Sequence, residues 1–260
     1  MLQPVPQIQI FDDETKLTKK QKRLLRKQQG IQNPGLRIKQ INPLTANQRR
    51  TFEAYDSNKN LLLTGCAGTG KTFLSFYLSL EEILEDNSPY KKLFVFRSVV
   101  PTRDMGFLPG KTSDKTKAYE APYYNICAEL FGRGDAYDIL KQKGIVQFES
   151  TSFIRGITLK DCVVIVDEVQ NLTHHEIHSL ITRVGDNCKI IFCGDIFQTD
   201  LNKKKEESGL SDFIKIFKAM NAFSFIEFQP EDICRSKLVK DYILTKLKLE
   251  REGAIEPRII

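Results

Sequence analysis

The stretch Gly65-Cys66-Ala67-Gly68-Thr69-Gly70-Lys71-Thr72 constrains this chain more than any other, because it matches G-x-x-x-x-G-K-[ST] at every fixed position. Just before it, NLLLT (60–64) is a short apolar run of the kind that makes a buried parallel strand. Just after it, FLSFYLSL (73–80) continues as a helix. Strand, glycine-rich turn and helix together are the setting of a phosphate-binding loop. Gly65, Gly68 and Gly70 let the backbone curl around anionic oxygens, with the positive end of the helix behind them. Lys71 then supplies a mobile charge for the β- and γ-phosphates, and the Thr72 hydroxyl is placed for Mg²⁺.

Downstream, apolar runs alternate with helical segments. Strands are expected at 61–64, 92–97, 145–149, 162–167, 189–193 and 224–228. Helices are expected at 71–84, 119–130, 136–142, 174–184, 209–220 and 236–249, with a short one opening near Leu44. Strands spaced by helices and apolar on both faces predict an α/β fold, a mainly parallel sheet covered by helices on both sides. Ligands of such sheets sit beyond the carboxyl ends of the strands, so the residues that follow each strand are the ones to read.

After CVVIV (162–166) come Asp167 and Glu168, an acidic pair in the Walker B arrangement. Asp167 is expected to order Mg²⁺, and Glu168 to orient and deprotonate the attacking water. After KIIFC (189–193), Gly194 ends the strand and Gln198 is placed to sense the γ-phosphate. His174, His175 and His178 have a spacing that zinc could use. No cysteine or carboxylate stands at a matching distance, and Thr173 with Glu176 reads instead as the capping box of a helix.

The net charge of +6 is unevenly spread: residues 1–43 hold nine Lys/Arg against three Asp/Glu, and the other 217 carry 30 of each. With the breakers Asn33-Pro34-Gly35 and Asn42-Pro43, this predicts a basic, mobile arm over 1–43 and a single domain over 44–260. Such an arm suits nucleic acid or another polyanion, and a merely solvated leader has the same charge. Six cysteines without a C-x-x-C pair read as free thiols in a reducing, cytoplasmic setting. No apolar run approaches the roughly 20 residues that cross a bilayer.

Taken together, GCAGTGKT, RSVVPTRDMGFLPG (97–110), IRGITLKDCVVIVDEVQNLT (154–173), ITRVGDNCKIIFCGDIFQTDL (181–201) and EDICRSKLVKDYI (231–243) resemble the PhoH-like proteins over roughly residues 44–247. The resemblance implies a RecA-like P-loop fold related to superfamily-one helicases, in a short form like those that bacteriophages encode. It further implies ATP and Mg²⁺ as cofactors, a homo-oligomeric, hexameric ring, and single-stranded RNA or DNA as partner. By the same resemblance Gln48 reads adenine, and Arg235 serves as an arginine finger supplied by a neighbouring subunit. Arg97, Arg103, Lys111 and Arg155 are the implied nucleic-acid contacts, with Phe107, Tyr119, Tyr123 and Tyr124 near enough to stack bases or to belong to the core. Ser98 and Ala118 stand where the family pattern has proline. The expected activity is Mg²⁺-dependent ATP hydrolysis coupled to nucleic-acid binding or remodelling. The alternative is a non-catalytic ATP-binding switch acting on a protein partner, and a P-loop kinase is disfavoured by the acidic pair and Gln198.

Overall fold

The structure is a computed structural model that describes residues 36–98, 112–151, 154, 156–195 and 210–255. Its centre is a six-stranded sheet: β1 (Asn60–Gly65), β2 (Lys92–Arg97), β3 (Val146–Ser150), β4 (Cys162–Asp167), β5 (Cys188–Cys193) and β6 (Phe223–Phe228). The spatial order is β3-β2-β4-β5-β1-β6, and every pairing is parallel. The strand that feeds the glycine loop is therefore separated from the strand ending in Asp167 by β5 alone. This is the α/β, RecA-like P-loop architecture.

Alternation along each strand divides the core into two layers. Leu61, Leu63, Leu93, Val95, Val163 and Ile165 face one side; Leu62, Phe94, Phe96, Val164 and Val166 face the other. Burying each of these side chains stabilises the fold by about 1.5–3 kcal/mol. The first layer is covered by α1 (Ala46–Asp56), α2 (Lys71–Ile83), α3 (Thr112–Phe131) and α4 (Ala136–Gln142). The second is covered by α5 (His174–Ile181) and α6 (Leu210–Ala219), whose Phe213 and Phe217 pack with Phe192 and Phe223. A last helix, α7 (Lys237–Arg251), follows a 3₁₀ turn at Pro230–Asp232. Among the described residues no helix is long and apolar enough to cross a membrane.

All six expected strands are present, within a residue of their predicted bounds. Two helices differ by three residues or more. Helix α3 begins seven residues before its predicted start, in a polar stretch that carries no apolar stripe. Helix α5 stops at Ile181 instead of Val184, because Val184 forms a parallel bridge with Leu159 and the Gly185 N–H donates to the Leu159 carbonyl (2.9 Å). The arm's boundary also shifts. Leu36 is packed in the first core layer, and the Lys39 N–H donates to the Leu130 carbonyl at 2.7 Å, so residues 36–43 run along the domain they were expected to precede. Residues 1–35 of the basic segment lie outside the described residues.

Candidate nucleotide site

The glycine loop runs from the end of β1 into α2. Gly65 takes φ +121°, and a Cβ on it would lie 2.0 Å from the Phe228 carbonyl oxygen of β6. Only glycine lets the loop leave the sheet here. Within the loop the Thr69 hydroxyl donates to the Cys66 carbonyl (3.0 Å), and Thr69 is fully buried. Cys66 is half-buried and burial raises its thiol above the ordinary value, so it sits in the loop as a neutral group. Ala67 is exposed. The N-cap of α2 is Gly70, which has no side chain to cap with, and so the first-turn N–H groups face the loop's mouth with the positive helix end. The Lys71 ammonium lies back across the loop and donates to the Gly65 and Cys66 carbonyls at 2.6 and 2.8 Å. A concave nest of N–H groups beside a lysine fits the phosphates of a nucleotide.

The acidic pair stands opposite. Thr72 donates its hydroxyl to Asp167 Oδ1 at 2.8 Å, bridging 95 residues of sequence. The two side chains expected to hold Mg²⁺ therefore converge, both oxygen donors as that ion requires. Asp167 is 4% exposed; burial, helped by the charge of Glu168, pushes its carboxyl above the ordinary value, against the pull of Thr72, Arg97 and Tyr123. A buried carboxylate held at such a cost suits a cation that compensates it.

Glu168 adopts a left-handed backbone (φ 52°, ψ 48°), uncommon for a residue with a side chain, and such strain costs on the order of 1–3 kcal/mol. The turn lifts its carboxylate out of the sheet; the side chain is 39% exposed. Gln170 donates to Glu168 Oε2 at 2.5 Å, and its own carbonyl oxygen accepts the Asp195 N–H at 3.0 Å. Gln170 thus ties the catalytic-base candidate to the loop that follows β5, a link with no signal in the sequence. Gln198, further along that loop, lies outside the described residues, as do Arg103, Lys111, Arg155 and Phe107.

Arg97 and Gln48 stand elsewhere than their assigned roles suggest, and Tyr123 belongs to the core. Arg97, read as a nucleic-acid contact, turns into the nucleotide site: its guanidinium lies 4.0 Å from Glu168 Oε1. Burial alone would lower the Arg97 pKa, but Tyr123, Asp167 and Glu168 around it raise it, so it remains a fixed cation. Tyr123 is fully buried and offers no face to a base; Tyr124 donates its hydroxyl to Asp138 at 2.7 Å and packs against Tyr137. Tyr119 lies 6.0 Å beneath the Arg97 guanidinium. Gln48 is 4% exposed, and its amide is occupied by protein: Nε2 donates to the Thr69 carbonyl and to Cys234 Sγ, both at 3.3 Å, while Oε1 accepts the Leu44 N–H at 2.8 Å. It braces the back of the glycine loop.

Arg235 is exposed and lies on its own chain's loop: a Cβ on Gly68 would fall 3.0 Å from its Cγ and 3.5 Å from its Nε. The segment that carries it is fastened on both sides. The Cys234 N–H donates to the Gly68 carbonyl (3.0 Å), and Asp232 accepts from Asn47 Nδ2 (2.7 Å) and the Gln229 N–H (2.8 Å). Burial alone would raise the Asp232 carboxyl, but hydrogen bonds from Thr45, Asn47 and the Gln229 amide hold it below the ordinary value.

The histidines of α5 form the expected capped helix, with Thr173 and Glu176 completing the box and the His174 ring packed on Phe213 at 4.7 Å. Among the described residues no group of three or more metal-ligating side chains stands together.

The sequence model of the PhoH-like protein family matches residues 40–245. A PhoH-like protein of Bacillus subtilis (strain 168) is 34% identical over 206 residues, covering 79% of this chain and 63% of that protein. The protein PhoH of Escherichia coli (strain K12) is 33% identical over 193 residues, 74% of this chain and 54% of the other. The chain thus spans between half and two thirds of the length of these curated relatives. Among solved structures, the large terminase from a thermophilic bacteriophage aligns with a TM-score of 0.49 at 14% identity, over 78% of this chain and 50% of that one.

Proposed function

Because the chain belongs to the PhoH-like family, and its glycine loop and acidic pair assemble a P-loop NTPase site, we propose that it hydrolyses ATP to ADP and phosphate with Mg²⁺ and couples this to single-stranded nucleic acid. The observation that carries the reading is the Thr72–Asp167 hydrogen bond at 2.8 Å, which joins the phosphate cradle to the metal-ordering carboxylate in one chain. In this reading the loop N–H groups hold the phosphates. Lys71 exchanges the Gly65 and Cys66 carbonyls for phosphate oxygens, a charge-assisted partner in place of a neutral one. Thr72 and Asp167 would hold Mg²⁺, which when bound would offset the charge that develops on the transferred phosphoryl group. Glu168, lifted clear of the sheet and steadied by Gln170, takes the proton of the attacking water.

Arg235 acts from its own chain, since that is where its stem already meets the glycine loop. This replaces the finger expected from a neighbour and leaves the proposed hexameric ring with roles other than completing the site. The basic segment before residue 44 supports the nucleic-acid half of the reading by charge alone.

The half-exposed Glu168 favours catalysis over the non-catalytic switch, because a switch has no use for a strained, solvent-facing carboxylate beside the phosphate cradle. The test is Glu168→Gln beside the wild type, with phosphate release and nucleotide binding both measured. Turnover should fall about 10²–10⁴-fold while nucleotide affinity holds. Equal turnover in the two proteins would remove Glu168 as the base, and ATP binding without turnover in the wild type would establish the switch.

A further inference from the structure

Asp167 presents two oxygens, and the proposed function uses only the one that meets Thr72. The other is not free: Tyr123 donates its hydroxyl to Asp167 Oδ2 at 3.0 Å, across 44 residues of sequence. We propose that Tyr123 is a positioning residue for magnesium, fixing the Asp167 carboxylate through Oδ2 so that Oδ1 stays turned toward Thr72 and the metal. This rests on the nucleotide-site reading above and adds a residue that neither the motifs nor the family resemblance assigned to it.

The surroundings of the ring explain how a tyrosine can serve this way. Tyr123 is fully buried, stacked on Phe76 of the helix that follows the glycine loop, with ring centroids 5.1 Å apart and planes 16° apart. Phe148 and Tyr137 close its remaining sides at 5.8 and 6.5 Å. The ring has no room to turn, so the hydroxyl has one direction. The polarity of the bond is fixed by its partner, since an ionised carboxylate can only accept: the phenol gives its proton to Asp167.

The chemistry of the donor also matters. A lysine at this place would neutralise Asp167 and compete with the metal for it. A phenol orients the carboxylate while leaving its charge for the cation. Burial and the Asp167 charge keep the Tyr123 proton on well above the ordinary phenol range, so the donor is never lost near neutrality. Partners of this kind around metal-ordering carboxylates carry about 10- to 100-fold of metal affinity.

The experiment uses the full chain and a fluorescent ATP analogue whose binding is followed while Mg²⁺ is titrated. Tyr123→Phe keeps the stacked ring and removes only the hydroxyl. The Mg²⁺ concentration at half-effect should rise about tenfold, with Mg²⁺-free nucleotide affinity within about twofold of wild type. Tyr124→Phe, which removes a neighbouring hydroxyl bonded to Asp138, should leave the midpoint where it is. Tyr123→Phe added to Asp167→Asn should change nothing further, because a residue acting through Asp167 has no route once that carboxylate is gone. An unmoved Mg²⁺ midpoint in folded Tyr123→Phe overturns the inference, as does an equal loss of Mg²⁺-free affinity or full additivity in the double variant. A wild type whose nucleotide binding ignores Mg²⁺ overturns the reading of the site itself, and this inference with it.

Discussion

Replacing Gly65 by alanine tests the junction on which the whole site depends. In the wild type Gly65 pairs with Phe228 at the ends of β1 and β6. A Cβ there would lie 2.0 Å from the Phe228 oxygen, 2.8 Å from its carbonyl carbon and 3.0 Å from its Cα. All three are backbone atoms, so no side chain can turn away, and the strand itself must move by about 1 Å or more. Three costs combine: about 1–2 kcal/mol for a left-handed residue with a side chain, about 1–3 kcal/mol for overpacking, and about 1 kcal/mol for the stretched end of the β1–β6 ladder. The expected loss is about 3–6 kcal/mol, which for a domain of this size lowers Tm by roughly 10–20 °C. Gly144→Ala is the matched control. It too has a positive φ, +67°, but nothing lies within 4 Å of its Cβ. Strain alone costs it about 1–2 kcal/mol, roughly 3–6 °C. Differential scanning calorimetry on the two variants separates collision from strain. A Gly65→Ala protein that melts no lower than Gly144→Ala would refute the close approach of β1 to β6, and with it the reason this loop starts where it does.

Asp167→Asn should move the Mg²⁺ dependence of nucleotide binding to much higher concentration yet leave the free protein at least as stable at pH 7. The folded carboxyl is raised, so the native state holds its proton more tightly than the unfolded chain, and stability is lost as pH climbs from the unfolded value near 4 through the folded one. The difference in Tm between variant and wild type should therefore shrink below about pH 4; a variant less stable at pH 7 than at pH 4, relative to wild type, contradicts this. Lys189 is 1% exposed, with its ammonium 3.0 Å from the Tyr55 carbonyl, 3.5 Å from Glu82 Oε2 and 3.6 Å from the Tyr55 ring centre. Lys189→Met should cost about 3 kcal/mol by removing the ammonium that compensates the Glu82 carboxylate, and adding Glu82→Gln should recover part of it, measured by urea denaturation. Arg235→Ala should slow ATP turnover at least 10³-fold, and mixing it with Lys71→Ala protein should restore nothing, since each chain carries its own arginine. Restored activity in the mixture would return the finger to the neighbouring subunit.

The sheet and the phosphate loop were legible because local pattern decides them. Strands buried on both faces must be apolar throughout, as in VVIV (163–166), and a loop that wraps phosphate must place glycine where a Cβ has no room. Asp167 and Glu168 were legible for the same reason, standing where a buried strand ends. What stayed hidden depends on contacts distant in sequence. Tyr119 and Tyr123, one turn apart on α3, announce a common helix face, but nothing local says that a hydroxyl from that face reaches Asp167. Arg97 ends a strand, where a cation can point outward to a polymer or inward to the acidic pair, and only the approach of Tyr119 on α3 and of Glu168, both distant in sequence, turns it inward. Gln48 illustrates a motif residue whose polar atoms the fold has already engaged. The chain before Ala46 shows a boundary misplaced because Asn-Pro breaks helix without ending the domain; Leu36 still finds the core.

The most direct test of the central claim is steady-state phosphate release from Mg-ATP by the wild type and Lys71→Ala, across protein concentration and with single-stranded RNA or DNA added. Phosphate should be released in proportion to protein concentration, faster with one of the polymers, and not by the variant. ATP that binds tightly and is never hydrolysed, at any concentration and with either polymer, would contradict it.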